Sequence, residues 1–158
     1  MSKSKVATQK ILLTKDGFLD LKKEYKDLNE NQRPKIVEEI QSARSMGDLS
    51  ENAMYHSARE KFSFIQGRLQ EIEEILKRAK IVDKGHSKTV DIGKTVVLCV
   101  KDQKLTYSIV GPEEVSSTEN KISHESPLGK SLIGKKVGDV VEFDAPSGKQ
   151  QYEIVEVS

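Results

Sequence analysis

Two carboxylates stand three residues apart in the run Met46-Gly47-Asp48-Leu49-Ser50-Glu51-Asn52, with Arg44 before them and Asn52, Tyr55, His56 and Arg59 after them. At the start of a helix, positions i and i+3 share a face, so both acids can point beyond its end. Hard oxygen ligands of this kind suit Mg²⁺, which keeps several waters and takes only one or two carboxylates from a protein. Asp48 and Glu51 are therefore a candidate metal-holding pair, and a partner would have to supply the remaining ligands. The polar and basic collar around them suits a phosphate-bearing ligand. The same two acids also fit a capping box for the following helix, and spacing alone leaves both roles open.

Other constellations are weaker. The three His residues, His56, His86 and His124, are scattered without zinc-like spacing. Gly129-Lys130-Ser131 ends like a phosphate loop, but His124 occupies the position five before Gly129, so that motif fails. Cys99 sits in an apolar strand-like run and reads as a buried small hydrophobe. Phe62 and Phe64 read as packing residues, and Lys22, Lys23 and Lys26 as a solvated face.

The acidic run must be held by helices. Phe18, Leu21, Tyr25 and Leu28 recur on one helical stripe, and after an interruption at 29–34 Ile36, Val37, Ile40 and Ala43 resume it. Pro34 should kink or break that helix, because it removes a backbone donor. Thr14 is a suitable N-cap, with Asp16 in the first turn. Ile65, Leu69, Ile72, Ile75, Leu76 and Ala79 mark a second stripe, and Gly47 suits the end of the first helix. Two helices joined by so short a loop form an antiparallel hairpin. From Thr14 to Met46 the first arm would extend roughly 50 Å, more than a compact domain needs, so it is expected to project.

Beyond Lys80 the text changes. Seven of the 10 Gly and three of the four Pro lie there, among short β-branched runs at 94–100, 105–110, 140–143 and 151–157. Ser126 to Ile133 reads as a short helix ended by Gly134. The expected fold class is α+β in two domains: a coiled-coil hairpin at 11–81 with its acidic tip at 46–52, a linker at 82–90, and a small α+β domain at 91–158. Residues 1–10 are expected to be a disordered tail.

The chain of 158 residues has 26 Lys+Arg against 25 Asp+Glu, which excludes bulk attraction to nucleic acid or an anionic membrane. One Cys excludes an internal disulfide framework, and no apolar run is long enough for a membrane span, so a soluble, cytoplasmic protein is expected. The 32% charged fraction fits long exposed helices, each burying a single seam.

The run from Ala43 to Glu60 closely resembles the tip signature of the bacterial transcript-cleavage factors of the GreA/GreB family. Leu13-Thr14-Lys15-Asp16-Gly17-Phe18, Arg33-Pro34-Lys35-Ile36, Gly67-Arg68-Leu69 and Ala79-Lys80-Ile81-Val82-Asp83 are similar to the same family's helices. Ser126-Pro127-Leu128-Gly129, Leu132-Ile133-Gly134, Gly138-Asp139-Val140-Val141 and the run from Tyr152 to Val157 resemble its C-terminal domain. The resemblance implies an FKBP-like C-terminal domain that binds bacterial RNA polymerase and a coiled coil that enters the polymerase's secondary channel. It implies a non-enzymatic elongation factor that stimulates the polymerase's own cleavage of backtracked RNA. Asp48 and Glu51 would help hold a Mg²⁺ shared with the polymerase active site, with none bound by the isolated protein. Arg44, Arg59, Tyr55 and His56 are the candidates for contacting the nascent RNA 3′ end. A monomer with no membrane partner is expected.

Three alternatives have separate consequences. A channel-occupying inhibitor would block elongation without cleavage. A peptidyl-prolyl isomerase would need an aromatic-lined pocket, whereas residues 81–158 offer only Tyr107, Phe143 and Tyr152. A passive coiled-coil adaptor would tolerate any good turn at the tip.

Overall fold

A computed structural model describes residues 9–158. The chain runs β1 (Ile11–Thr14), α1 (Lys15–Asp27), a π-helical turn (Leu28–Gln32), α2 (Arg33–Ser45), α3 (Ala53–Arg78) and β2 (Ala79–Val82). It continues through β3 (Thr95–Val100), β4 (Gln103–Val110), a 3₁₀ turn (Pro112–Glu114), β5 (Lys121–Ser123), α4 (Pro127–Leu132), β6 (Val140–Ala145) and β7 (Gly148–Val157). The class is α+β, a long helical hairpin followed by a sheet domain. The tail expected at residues 1–10 lies, as far as residue 8, outside the described residues.

Two compact units form: Phe18–Arg78, and the chain up to Gly17 together with Ala79–Ser158. β1 and all but the last residue of β2 fall within the 11–81 segment read as hairpin, and both strands belong to the second unit. They pair in parallel from Ile11↔Ala79 to Thr14↔Val82, and Leu12 and Val82 pack against that unit's core.

The hairpin is held by one seam. Its first arm buries Leu21, Leu28, Ile36 and Ala43, which are spaced seven, eight and seven residues apart. An eight-residue step would rotate the stripe off the seam in a regular helix. The π turn between Leu28 and Ile36 takes up the extra residue: the N–H of Arg33 bonds five residues back to the carbonyl of Leu28. Pro34 follows directly, where its missing N–H and the bulk of its ring are accommodated at the first positions of α2. The irregularity expected at Pro34 is therefore a widened turn through which the arm continues.

The second arm contributes Ala58, Ile65, Leu69, Ile72 and Ile75. Each fully buried Leu or Ile is worth about 1.5–3 kcal/mol. Phe64, read as a packing residue, is instead 74% exposed, because it precedes seam residue Ile65 and is rotated about 100° from it. Val37 is also turned outward. Across the seam Arg68 Nε donates to Glu24 at 2.7 Å and the Tyr25 hydroxyl donates to Glu73 at 2.6 Å, while along α3 Arg68 Nη1 donates to Glu71 at 2.8 Å. The paired carboxylates of Glu24 and Glu71 hold the guanidinium pKa above its ordinary value.

The sheet of the second unit has the order β5-β4-β3-β7-β6. Only β4 and β5 are parallel in it; β3/β4, β3/β7 and β6/β7 are antiparallel. Its core comprises Val90, Ile92, Val96, Leu98, Ile109, Leu132, Val141, Tyr152 and Ile154. Cys99, expected to be buried, is only half-buried: Val96 and Leu98 take the core face, so strand alternation turns Cys99 to the other.

The stretch 82–90, read as a linker, is tied down at its far end. Val90 is buried and its N–H donates to Lys135 at 2.8 Å, while the buried Lys94 ammonium donates to the carbonyls of Ser87 and Thr89. The expected short helix forms, with the Ser126 hydroxyl accepting the Gly129 N–H at 3.0 Å and Gly134 in the left-handed region at φ 79°.

Among the described residues, no helix is long and apolar enough to cross a membrane.

Candidate functional site

The seven residues between α2 and α3, 46–52, hold both acids. α2 closes with Met46 as its C-cap, whose N–H bonds Ala43 O at 3.2 Å. Gly47 follows at φ 128°, a conformation that strains any residue with a Cβ. The main-chain N–H and the hydroxyl of Ser50 both donate to Asp48 Oδ1, at 3.0 and 2.9 Å. This is a local Asx-type turn.

Asp48 is therefore not the cap of α3. Asn52 has that place: its Oδ1 accepts the Tyr55 N–H at 3.1 Å, and its Nδ2 donates to Ala43 O at 2.7 Å. The capping box inferred from the Asp48–Glu51 spacing does not form, because Asn52, immediately before Ala53 and four residues nearer the helix than Asp48, supplies the acceptor. Both acids are exposed. Among the described residues Glu51 makes no hydrogen bond or ion pair.

The basic and aromatic residues gather behind the acids, on the helix ends. The Arg44 guanidinium lies 5.8 Å from the centroid of the Tyr55 ring, and the rings of Tyr55 and His56 meet edge-on at 5.7 Å. His56 Nε2 is 3.3 Å from the Ser50 carbonyl oxygen, to which it donates in the Nε2–H tautomer. The neighbouring Arg44 guanidinium, and after it Arg59, holds the Tyr55 phenol pKa below the ordinary tyrosine range against an opposing desolvation effect. The geometry thus brings Arg44, Arg59, Tyr55 and His56 together and leaves Asp48 and Glu51 ahead of them in the loop. Met46 and Met54, 65% and 63% exposed, add an apolar margin.

The two Ser50 donors, the main-chain one first, hold the Asp48 carboxyl below the usual carboxylate range. A depressed folded-state pKa means that these bonds favour the folded loop above the unfolded pKa and are lost as pH falls through the folded one. Asp48 is therefore a carboxylate throughout the neutral range. Ser50→Ala is expected to raise its pKa part of the way back, since the main-chain donor remains; ¹³C carboxyl titration by NMR reads this, and an unchanged titration would assign the hydroxyl no share.

Ser50 and Asn52 carry more of the tip than their types suggested. The signals were a Ser two residues after an Asp, which favours a side-chain-closed turn, and an Asn at a helix start, which favours a cap.

The chain is thus a two-unit protein, a long helical hairpin and a small sheet domain, with two exposed acids at the bend. The family model described as "Transcription elongation factor, N-terminal" matches residues 11–81, and that described as "Transcription elongation factor, GreA/GreB, C-term" matches residues 85–158. The chain is 45% identical over 152 residues to "Transcription elongation factor GreA" of Mesorhizobium japonicum, covering 94% of this chain and 97% of that protein. It is 46% identical over 153 residues to the protein of the same description from Rhodospirillum rubrum, covering 94% and 98%. Gfh1 of Thermus aquaticus, a solved structure, is 30% identical with a TM-score of 0.45, covering 94% of this chain and 98% of its own. The chain belongs to the GreA/GreB family of transcription elongation factors.

Proposed function

We propose that this chain binds bacterial RNA polymerase through its C-terminal unit and inserts the hairpin into the polymerase's secondary channel. There it stimulates the polymerase's own endonucleolytic cleavage of the RNA 3′ end in backtracked, arrested complexes. The supporting observation is the state of the two acids: neither is consumed as a helix cap, both are exposed, and Asp48 is held ionised. At about 1.5 Å per residue, the 26 residues of α3 give roughly 39 Å of reach.

The donor set fits a shared cation. Among the described residues no three His, Cys, Asp or Glu side chains come together to hold a metal ion, so Asp48 and Glu51 would form part of a coordination shell that polymerase carboxylates complete. Mg²⁺ in such a two-metal arrangement supplies charge stabilisation to the attacking and leaving oxygens of phosphodiester hydrolysis. The chain's own contribution is to deliver two negative charges into a partly desolvated channel, where they act more strongly than in water, and to orient the attacking water by hydrogen bonding. Arg44 and Arg59, with Tyr55 and His56 beside them, would hold the phosphates of the extruded RNA without reading its bases.

On this account the purified chain cleaves no RNA. Added with Mg²⁺ to a stalled, backtracked polymerase complex, it releases short 3′ fragments and restarts elongation. Stalled complexes that stay intact at saturating chain would overturn the proposal.

A further inference from the structure

We infer that Asn52 is the positioning residue of the tip, fixing where Asp48 and Glu51 stand relative to the hairpin. This rests on the proposed role of those acids in cleavage. The amide of Asn52 uses both its ends. Nδ2 reaches back nine residues to the Ala43 carbonyl at 2.7 Å, and Oδ1 receives the Tyr55 N–H at 3.1 Å. One side chain thereby bonds a carbonyl in the last turn of α2, which also accepts the Met46 N–H, and an orphan N–H at the start of α3, closing the loop that carries both acids.

Little else ties that loop to the helices. The Asp48 bonds run only to Ser50, within the loop, and Glu51 has no partner among the described residues. Among the described residues the remaining hydrogen bonds are the Met46 N–H to Ala43 O at 3.2 Å, the His56 N–H to Asn52 O at 3.1 Å, and the His56 ring contact with Ser50 O at 3.3 Å. The seam stops short of the loop, with Ala43 and Ala58 as its last buried residues. Loss of the clasp therefore releases the carboxylates while leaving the packing of the arms in place. Asn meets both demands: Ser or Asp can cap α3, but neither carries a neutral donor that reaches Ala43 O.

The test is Asn52→Ser, which keeps a helix cap without adding charge. The maximal rate of fragment release at saturating factor is expected to fall about tenfold or more, since small misplacements of acting groups are costly. The Mg²⁺ concentration for half-maximal cleavage should rise, with affinity for the stalled complex within about twofold of the unaltered chain. In the isolated protein, amide hydrogen exchange should accelerate at 46–51 and stay unchanged along α2 and α3. Unaltered cleavage with an unaltered Mg²⁺ midpoint would overturn the inference. So would a loss of cleavage matched by equal loss of affinity or by faster exchange throughout both arms, which marks a merely structural role. If replacing Asp48 and Glu51 themselves leaves cleavage intact, the functional proposal fails instead, and the two failures are distinguishable.

Discussion

Replacing Asp48 and Glu51 together by Ala is expected to cut factor-stimulated RNA cleavage about 100-fold or more, on the scale of removing a preorganised charge-stabilising group from an active site. Affinity for the polymerase should stay within about twofold. The separation follows from position. Neither carboxylate caps a helix, since Asn52 holds that place, and neither belongs to the seam formed by Leu21, Leu28, Ile36 and Ala43 with the α3 residues opposite. The double variant therefore keeps the hairpin and loses the charge at its end. Asp48→Asn and Glu51→Gln, which keep shape and remove charge, should act in the same direction. A passive adaptor would lose nothing with Glu51→Gln, and a channel-occupying inhibitor would slow elongation equally with or without the acids. Measuring affinity, elongation and fragment release on the same stalled complex tells the three apart.

The second large effect is structural. Gly129 lies in α4, where helix propensity alone would favour Ala by up to about 1 kcal/mol. A Cβ there would instead collide with the main-chain carbonyl of Ser123, and backbone has little freedom to retreat. Gly129→Ala is expected to destabilise the C-terminal unit by about 2 kcal/mol or more, in the range of overpacking substitutions. For a unit of this size that lowers the melting midpoint by about 10 °C. Gly67 supplies the contrast: it is exposed in the middle of α3, and an added Cβ meets nothing within 4 Å. Gly67→Ala should stabilise the hairpin by up to about 1 kcal/mol. Calorimetry on the full chain reads both, and equal shifts of one sign would contradict the packing described for Gly129.

Periodicity carried most of the architecture. Three- and four-residue spacing located both arms, the β-branched runs located β3, β4, β6 and β7, and Ser126 and Gly134 marked the ends of α4. What local text left out was what distant partners decide. The Leu28 to Ile36 step of eight residues was visible as a flaw in the stripe, but a π turn follows only once an opposing arm demands that both face it. Phe64 looked like packing because apolar residues usually are, and its outward direction comes from the phase set by Ile65 and Leu69. At the tip, Asp48 and Glu51 had the spacing of a capping box, and the competing cap at Asn52 prevailed because it sits against the first turn of α3. The collar of Arg44, Tyr55, His56 and Arg59 was legible because helical spacing alone brings Tyr55, His56 and Arg59 within one turn and the hairpin returns Arg44 beside them.

In the proposed mechanism the two tip carboxylates act by raising cation occupancy at the polymerase active site. A Mg²⁺ titration of fragment release from one backtracked complex measures that occupancy, run with polymerase alone, with the unaltered chain, and with the Asp48→Ala/Glu51→Ala variant. The account predicts that the unaltered chain shifts half-maximal cleavage to lower Mg²⁺, while the variant's curve lies on that of polymerase alone. A variant curve that follows the unaltered chain, or an unaltered chain that leaves the midpoint where polymerase alone has it, would contradict the account.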